Sequence, residues 1–219
     1  MEILIILFLL AIFVLAPIIG GIALSSIPFE PKPTKSKLAE QKVSNALRRL
    51  SLKSYVLFEN VILPSQGNTA HTEIDHIVVS PYGIFCIETK SHKGSIYAYE
   101  KNQDWAQYLG NRKFTLHSSL RQNYKHIKAI EALLGTNLKA PIHSYVVFPN
   151  AYKIVTDSKC VYANINDLVE QISKHVQPIY DIDECTRILK SLAYASSQNE
   201  VLSQIHIEEV QAYLATKPA

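Results

Sequence analysis

The sequence predicts a mixed α/β domain with a helical C-terminal region, preceded by an uncharged apolar segment. Two apolar runs, residues 73–79 and 84–90, surround a Ser80-Pro81-Tyr82-Gly83 turn and read as a central hairpin. Apolar residues at helical spacing flank it, at Ala39, Val43, Ala46, Leu47 and Leu50 before and at Leu120, Tyr124, Ile127, Ile130 and Leu134 after. The order helix, three strands, short β excursion, helix, strand is that of an α/β core.

The 219 residues hold one ordinary domain plus an appendage, and a formal net charge of +3 says little about partners. Cys86, Cys160 and Cys185 are too scattered for a disulfide framework, and no C-x-x-C pair points to structural zinc. This usage fits a reducing compartment.

Residues 3–24 carry no charge and, as a helix rising about 1.5 Å per residue, would cover the roughly 30 Å core of a bilayer. A secretory signal would be shorter and would begin with positive charge, whereas the early charged side chain here is Glu2. Lys32, Lys35, Lys37, Lys42, Arg48 and Arg49 follow, an excess that belongs on the cytoplasmic side. The expected organisation is a single-pass anchor over 1–25, a Pro-rich tether over 26–36, a domain over 37–150 in the cytoplasm and a mainly helical extension over 151–219.

The first helix is expected to begin near Ser36 as N-cap. Residues 55–63 read as a strand closed by Pro64. In the hairpin, Pro second and Gly fourth are type I turn preferences, and strands apolar on both faces belong at the centre of a covered sheet. Short strands are expected at 95–99, 105–108 and 113–116, a helix at 119–134 stopped by Gly135, and a strand at 142–148. A short strand at 160–163 and helices at 166–176, 182–197 and 207–216 complete the chain.

Pairing continued outward from Ser80 opposite Gly83 sets Asp75 opposite Glu88, with Cβ atoms about 5 Å apart. Lys90 shares that face by strand alternation. A one-residue slip in the turn would move Asp75 to the other face. Facing carboxylates in apolar strands need a positive charge between them, and hard oxygen ligands suit Mg²⁺ or Mn²⁺. Lys90 is then placed to orient or deprotonate a water, or to stabilise developing charge. The plainer alternative is that both acids solvate strand ends and Lys90 pairs with one of them.

A helix bearing Ala39-Glu40-Gln41-Lys42-Val43, then Glu73-Ile74-Asp75-His76-Ile77, Ile87-Glu88-Thr89-Lys90, Gly94-Ser95-Ile96, Trp105 and Gln122 through His126 resembles the PD-(D/E)XK nuclease superfamily. More narrowly, residues 37–150 resemble the nuclease-related domain, NERD. The resemblance implies a restriction-endonuclease-like core and metal-dependent cleavage of nucleic acid, DNA in preference to RNA. It implies that Asp75, Glu88 and Glu40 serve the metal, that Lys90 is the catalytic lysine, and that Gln122 approaches the site. Two positions depart from the family pattern: Ala39 stands where Gly is usual, and Ser118-Ser119 where Asn-Pro is common.

His76 should point away from Asp75. His126 shares a helix face with Gln122, to touch phosphate or to lie on the surface. Cys86 has apolar neighbours that suit packing. Between residues 90 and 128, cations that include Lys93, Arg112, Lys113, Arg121 and Lys125 outnumber acids and alternate with Tyr97, Tyr99, Trp105, Tyr108 and Tyr124, a pattern suited to phosphates and bases or to an ordinary solvated surface. No Walker A loop, G-x-S-x-G or H-E-x-x-H motif is present. A silent module of the same fold, tethering nucleic acid or a protein at the membrane, is the rival expectation.

Overall fold

The hairpin forms the middle of a five-stranded sheet in a computed structural model that describes residues 32–50, 54–65, 67–135 and 138–216. The expected anchor and most of the tether lie outside the described residues. Among the described residues, no helix is long and apolar enough to cross a membrane.

Helix α1 (Lys35–Leu47) is capped two residues earlier than expected, by Thr34 in place of Ser36, and the Thr34 hydroxyl accepts from the Lys37 N–H. Strands β1 (Val56–Pro64), β2 (His71–Ser80) and β3 (Gly83–Thr89) form an antiparallel meander. The Pro81-Tyr82 turn does not slip: Ser80 pairs with Gly83, and the register runs unbroken to His76 opposite Ile87. Strand β7 (His143–Val147) joins β3 in parallel, and β9 (Val161–Tyr162) closes the order β1-β2-β3-β7-β9.

Both sheet faces are covered, as the two-sided apolar strands require. Val43 and Leu47 of α1 pack with Leu168 and Ile172 of α3 (Ile165–Ser173) against Val78, Phe85, Ile87 and Val147. On the opposite face, α2 (Ser119–Leu134) and α4 (Ile182–Ser197) set Ile127, Ile130, Ile188 and Leu192 against Ile77, Val79, Ile84 and Cys86.

The β excursion is larger than expected. Strands β4 (Gly94–Tyr97), β5 (Asp104–Leu109) and β6 (Arg112–His117) join β8 (Ala151–Val155), which has no counterpart among the expected strands, in a second sheet of order β6-β5-β4-β8. Trp105 is buried there beside Phe148, its indole N–H donating to the Tyr99 carbonyl at 3.0 Å. Helix α5 (Asn199–Ala215) is two turns longer at its start than 207–216. Asn199 bridges β1, donating to the Asn60 carbonyl at 2.7 Å and accepting from the Ile62 N–H at 3.1 Å.

Candidate active site

The regular hairpin ladder ends where the acids begin. On the β1 side, Asn60 lies between the partners of His76 and Ile74 and adopts φ +53°, a left-handed conformation that asparagine tolerates better than most residues. On the β3 side, Asp75 accepts the Thr89 N–H through its own carboxylate, Oδ2 at 2.7 Å. Asp75 stays within β2, and its bond to the Thr89 N–H fixes the carboxyl group beside the end of β3.

Glu88 is 2 % exposed. Its Oε1 meets Lys90 Nζ at 2.6 Å, and the same ammonium donates to Gln122 Oε1 at 2.8 Å. Glu88 Oε2 lies 3.3 Å from His126 Nδ1, yet both atoms are buried and lack a hydrogen bond. Asp75, Glu88, Lys90 and Gln122 line one cavity of about 580 Å³, together with Glu40, Glu73, His92, Lys125 and His126. Two residues of α5, His206 and Tyr213, also line it.

Electrostatics mark Asp75 as the strained member. Burial pushes its carboxyl well above the ordinary range, Glu88 and Glu40 push it further, and the Thr89 N–H and Lys90 pull back. Glu73, although exposed at the cleft wall, is also raised, by desolvation first, with Glu40 and Glu88 adding and His206 and Lys37 opposing. Burial lowers His126, helped by Lys90 and Lys125 against Glu88, so its imidazole is neutral at pH 7. The Cys86 thiol is buried, driven well above its ordinary value, and donates to Asn123 Oδ1 at 2.9 Å, which makes it packing rather than a nucleophile.

His76 points to the α1 side, 2.9 Å from Ser44 Oγ, and burial lowers it to about 4. Glu40 lines the cavity and accepts from Ser36 Oγ at 2.8 Å. It does not complete a cage: among the described residues, no three His, Cys, Asp or Glu side chains gather as a metal cluster. The paired acids still fit a hard divalent cation, since Mg²⁺ is commonly held by one or two carboxylates with waters and substrate phosphate. The orphaned Glu88 Oε2 and the elevated Asp75 are the features that a cation would relieve.

Of the cations expected to meet nucleic acid, Lys125 lines the cavity, as does His126, which is buried rather than on the surface. Lys93 lies in a neighbouring groove with Lys35 and Lys42. Arg112 and Lys113 on β6 and Arg121 on α2 are exposed and do not line the cavity. Tyr97 packs edge-on against Tyr108 at 5.3 Å, and Tyr124 is exposed with Lys128 over its ring.

Sequence reasoning missed Glu73, although alternation along β2 places it two residues from Asp75. It also missed Asn123, fully buried, whose amide reaches the Cys86 and Tyr145 carbonyls at 3.0 and 3.1 Å and Ser144 Oγ at 2.8 Å. That side chain locks α2, and with it Gln122 and His126, onto β3 and β7. No local signal marks His206 or Tyr213, because their place depends on how α5 docks.

Comparison with known proteins bears on this geometry. The nuclease-related domain family matches residues 35–149. An uncharacterized protein of Bacillus anthracis is 33% identical over 184 residues, covering 84% of this chain and 79% of its own. No solved structure matches.

Proposed function

Since the chain belongs to the nuclease-related domain family, we propose that it is a membrane-anchored, metal-dependent phosphodiesterase acting on nucleic acid, DNA in preference to RNA. The observation that carries this reading is Glu88, an acid 2 % exposed with one oxygen on Lys90 and the other without a hydrogen bond beside His126, next to an Asp75 that resists ionisation. Buried acids in so unfavourable a setting cluster at functional sites.

Asp75 and Glu88 would hold Mg²⁺ or Mn²⁺, with Glu40 supporting from the cleft wall. The bound cation supplies a polarised phosphoryl oxygen and an acidified water. Lys90, fixed between Glu88 and Gln122, offers its ammonium where negative charge builds as water adds to phosphorus. The attacking water gives up a proton to solvent, the P–O bond to the leaving sugar oxygen breaks, and that oxygen takes up a proton from solvent. Gln122 shares the Lys90 ammonium with Glu88, and Lys125 adds positive charge along the cavity for the incoming phosphate.

The test uses the full chain purified in detergent, DNA and RNA in several forms, and Mg²⁺, Mn²⁺ or chelator. Cleavage that needs metal and disappears in Glu88→Gln and Lys90→Met, with binding retained, is expected. Normal binding without cleavage of any form would instead leave a silent module that tethers nucleic acid or a protein.

The anchor belongs to the same proposal and rests on the uncharged run 3–24 and the cations after it. A reporter fused at Ala219 should be active only in the cytoplasm, and activity only outside would reverse the orientation.

A further inference from the structure

The cavity that holds the acids has one wall from outside the matched family segment. His206 and Tyr213 lie seven residues apart on α5, two helical turns, and so form one stripe along the cleft. Helix α5 is pinned to the strand ends beside it. The Glu209 carboxylate accepts from the His71 N–H at 3.0 Å and meets His71 Nδ1 at 2.8 Å, while Asn68 Nδ2 donates to the Tyr213 hydroxyl at 2.9 Å. Gln122 and Lys125 of α2 line the same cleft, and His92, at the exit of β3, adds a third ring.

We infer that this cleft takes nucleic acid as a single strand, at an unpaired stretch or a frayed end, with His206 and Tyr213 contacting the bases beside the scissile phosphate. The inference rests on the phosphodiesterase reading and narrows its substrate. A cavity of about 580 Å³ is of small-ligand size. A phosphate must descend between walled elements to reach Glu88, which is almost wholly buried. In a duplex, base pairing holds each phosphate on the outside of a stiff cylinder, whereas an unpaired strand can bend its backbone inward and turn its bases onto the walls. Rings suit that role because every base has a π-face, so stacking tolerates any sequence.

The experiment compares labelled single-stranded DNA and RNA with covalently closed duplex DNA of the same sequence, using the full chain. Cleavage is followed in Mg²⁺, and binding by fluorescence anisotropy with Ca²⁺ replacing Mg²⁺. The single strand should be cut and bound at least about tenfold better than the closed duplex, and the DNA and RNA arms show which sugar is accepted. His206→Ala and Tyr213→Ala should each weaken single-strand binding and raise KM about tenfold, the scale of one lost stacking contact. Tyr213→Phe keeps the ring but loses the bond to Asn68, and it should restore wild-type KM. Equal handling of closed duplex and single strand would overturn the inference, as would alanine variants with unchanged KM and binding. So would a Phe variant as defective as the Ala variant, since that would make Tyr213 a structural tie. A chain that cuts nothing but binds single strands tenfold tighter, with the loss on Tyr213→Ala, refutes the nuclease reading and keeps this one.

Discussion

Asparagine in place of Asp75 should raise the melting temperature of the metal-free protein while removing its chemistry. When both are ionised, carboxylates on directly opposed strand residues about 5 Å apart repel by about 3 kcal/mol at an effective dielectric constant of about 20. Lys90 offsets part of that repulsion and Glu40 adds to it, while burial opposes ionisation further. The amide oxygen of the substituted side chain would still accept the Thr89 N–H, so the one bond that fixes it survives. A net gain of about 1–2 kcal/mol follows, which for a chain of this size raises Tm by about 2–8 °C. The assay is thermal unfolding at pH 7.5 in chelator and again in Mg²⁺. In Mg²⁺ the wild type should gain stability by binding and the variant should not. A variant that melts below the wild type in chelator would refute the idea that burial and the neighbouring Glu88 make the Asp75 carboxyl group costly in the metal-free fold.

The same electrostatics set the pH dependence. Asp75 and Glu73 both bind protons more tightly folded than unfolded, so in chelator the wild type should lose stability as pH rises from the ordinary carboxylate range through their raised pKa values. Urea unfolding between pH 4 and 8 should show that decline flattened in Asp75→Asn; an equal decline in both would contradict it. His76 works in the opposite sense: the unfolded chain takes its proton near pH 6.5, the folded one near 4, so stability is lost as pH falls through that window. Side-chain NMR should find its ring neutral at pH 5.5, against a midpoint near 6.5 if it were solvated. Lys90→Met leaves Glu88 without its cation; kcat should fall at least about 100-fold and stability by about 1–3 kcal/mol, read from kinetics and urea unfolding, and near-wild-type kcat would remove Lys90 from the mechanism. Asn123→Ala strands buried carbonyls of two strands, and calorimetry should record a loss of about 3 kcal/mol, or roughly 6–12 °C, where a change under 1 °C would show that Asn123 is not the lock.

The hairpin was legible in the sequence because its determinants are local: a turn with Pro and Gly in set positions, and apolar runs on either side. From these follow the register from Ser80–Gly83 to His76–Ile87 and the meeting of Lys90 with Glu88. The left-handed Asn60 of β1 was not legible, because the backbone around it is satisfied by Asn199, far along the chain. Strand β8 escaped for a similar reason, being a short segment whose order comes from parallel pairing with β4. The start of α5 escaped because its apolar residues follow no single face, leaving no period to read. His126 was one turn from Gln122 and so on the expected helix face, but its depth is set by how Asn123 clamps α2 onto the sheet.

A crystal of the protein soaked in Mn²⁺, with anomalous data, tests the central claim most directly. A peak within coordination distance of both an Asp75 oxygen and Glu88 Oε2, absent in Glu88→Gln, is the predicted result. A peak elsewhere with none between these acids, or an unchanged peak in the variant, would contradict the claim that Asp75 and Glu88 form a metal-dependent catalytic centre.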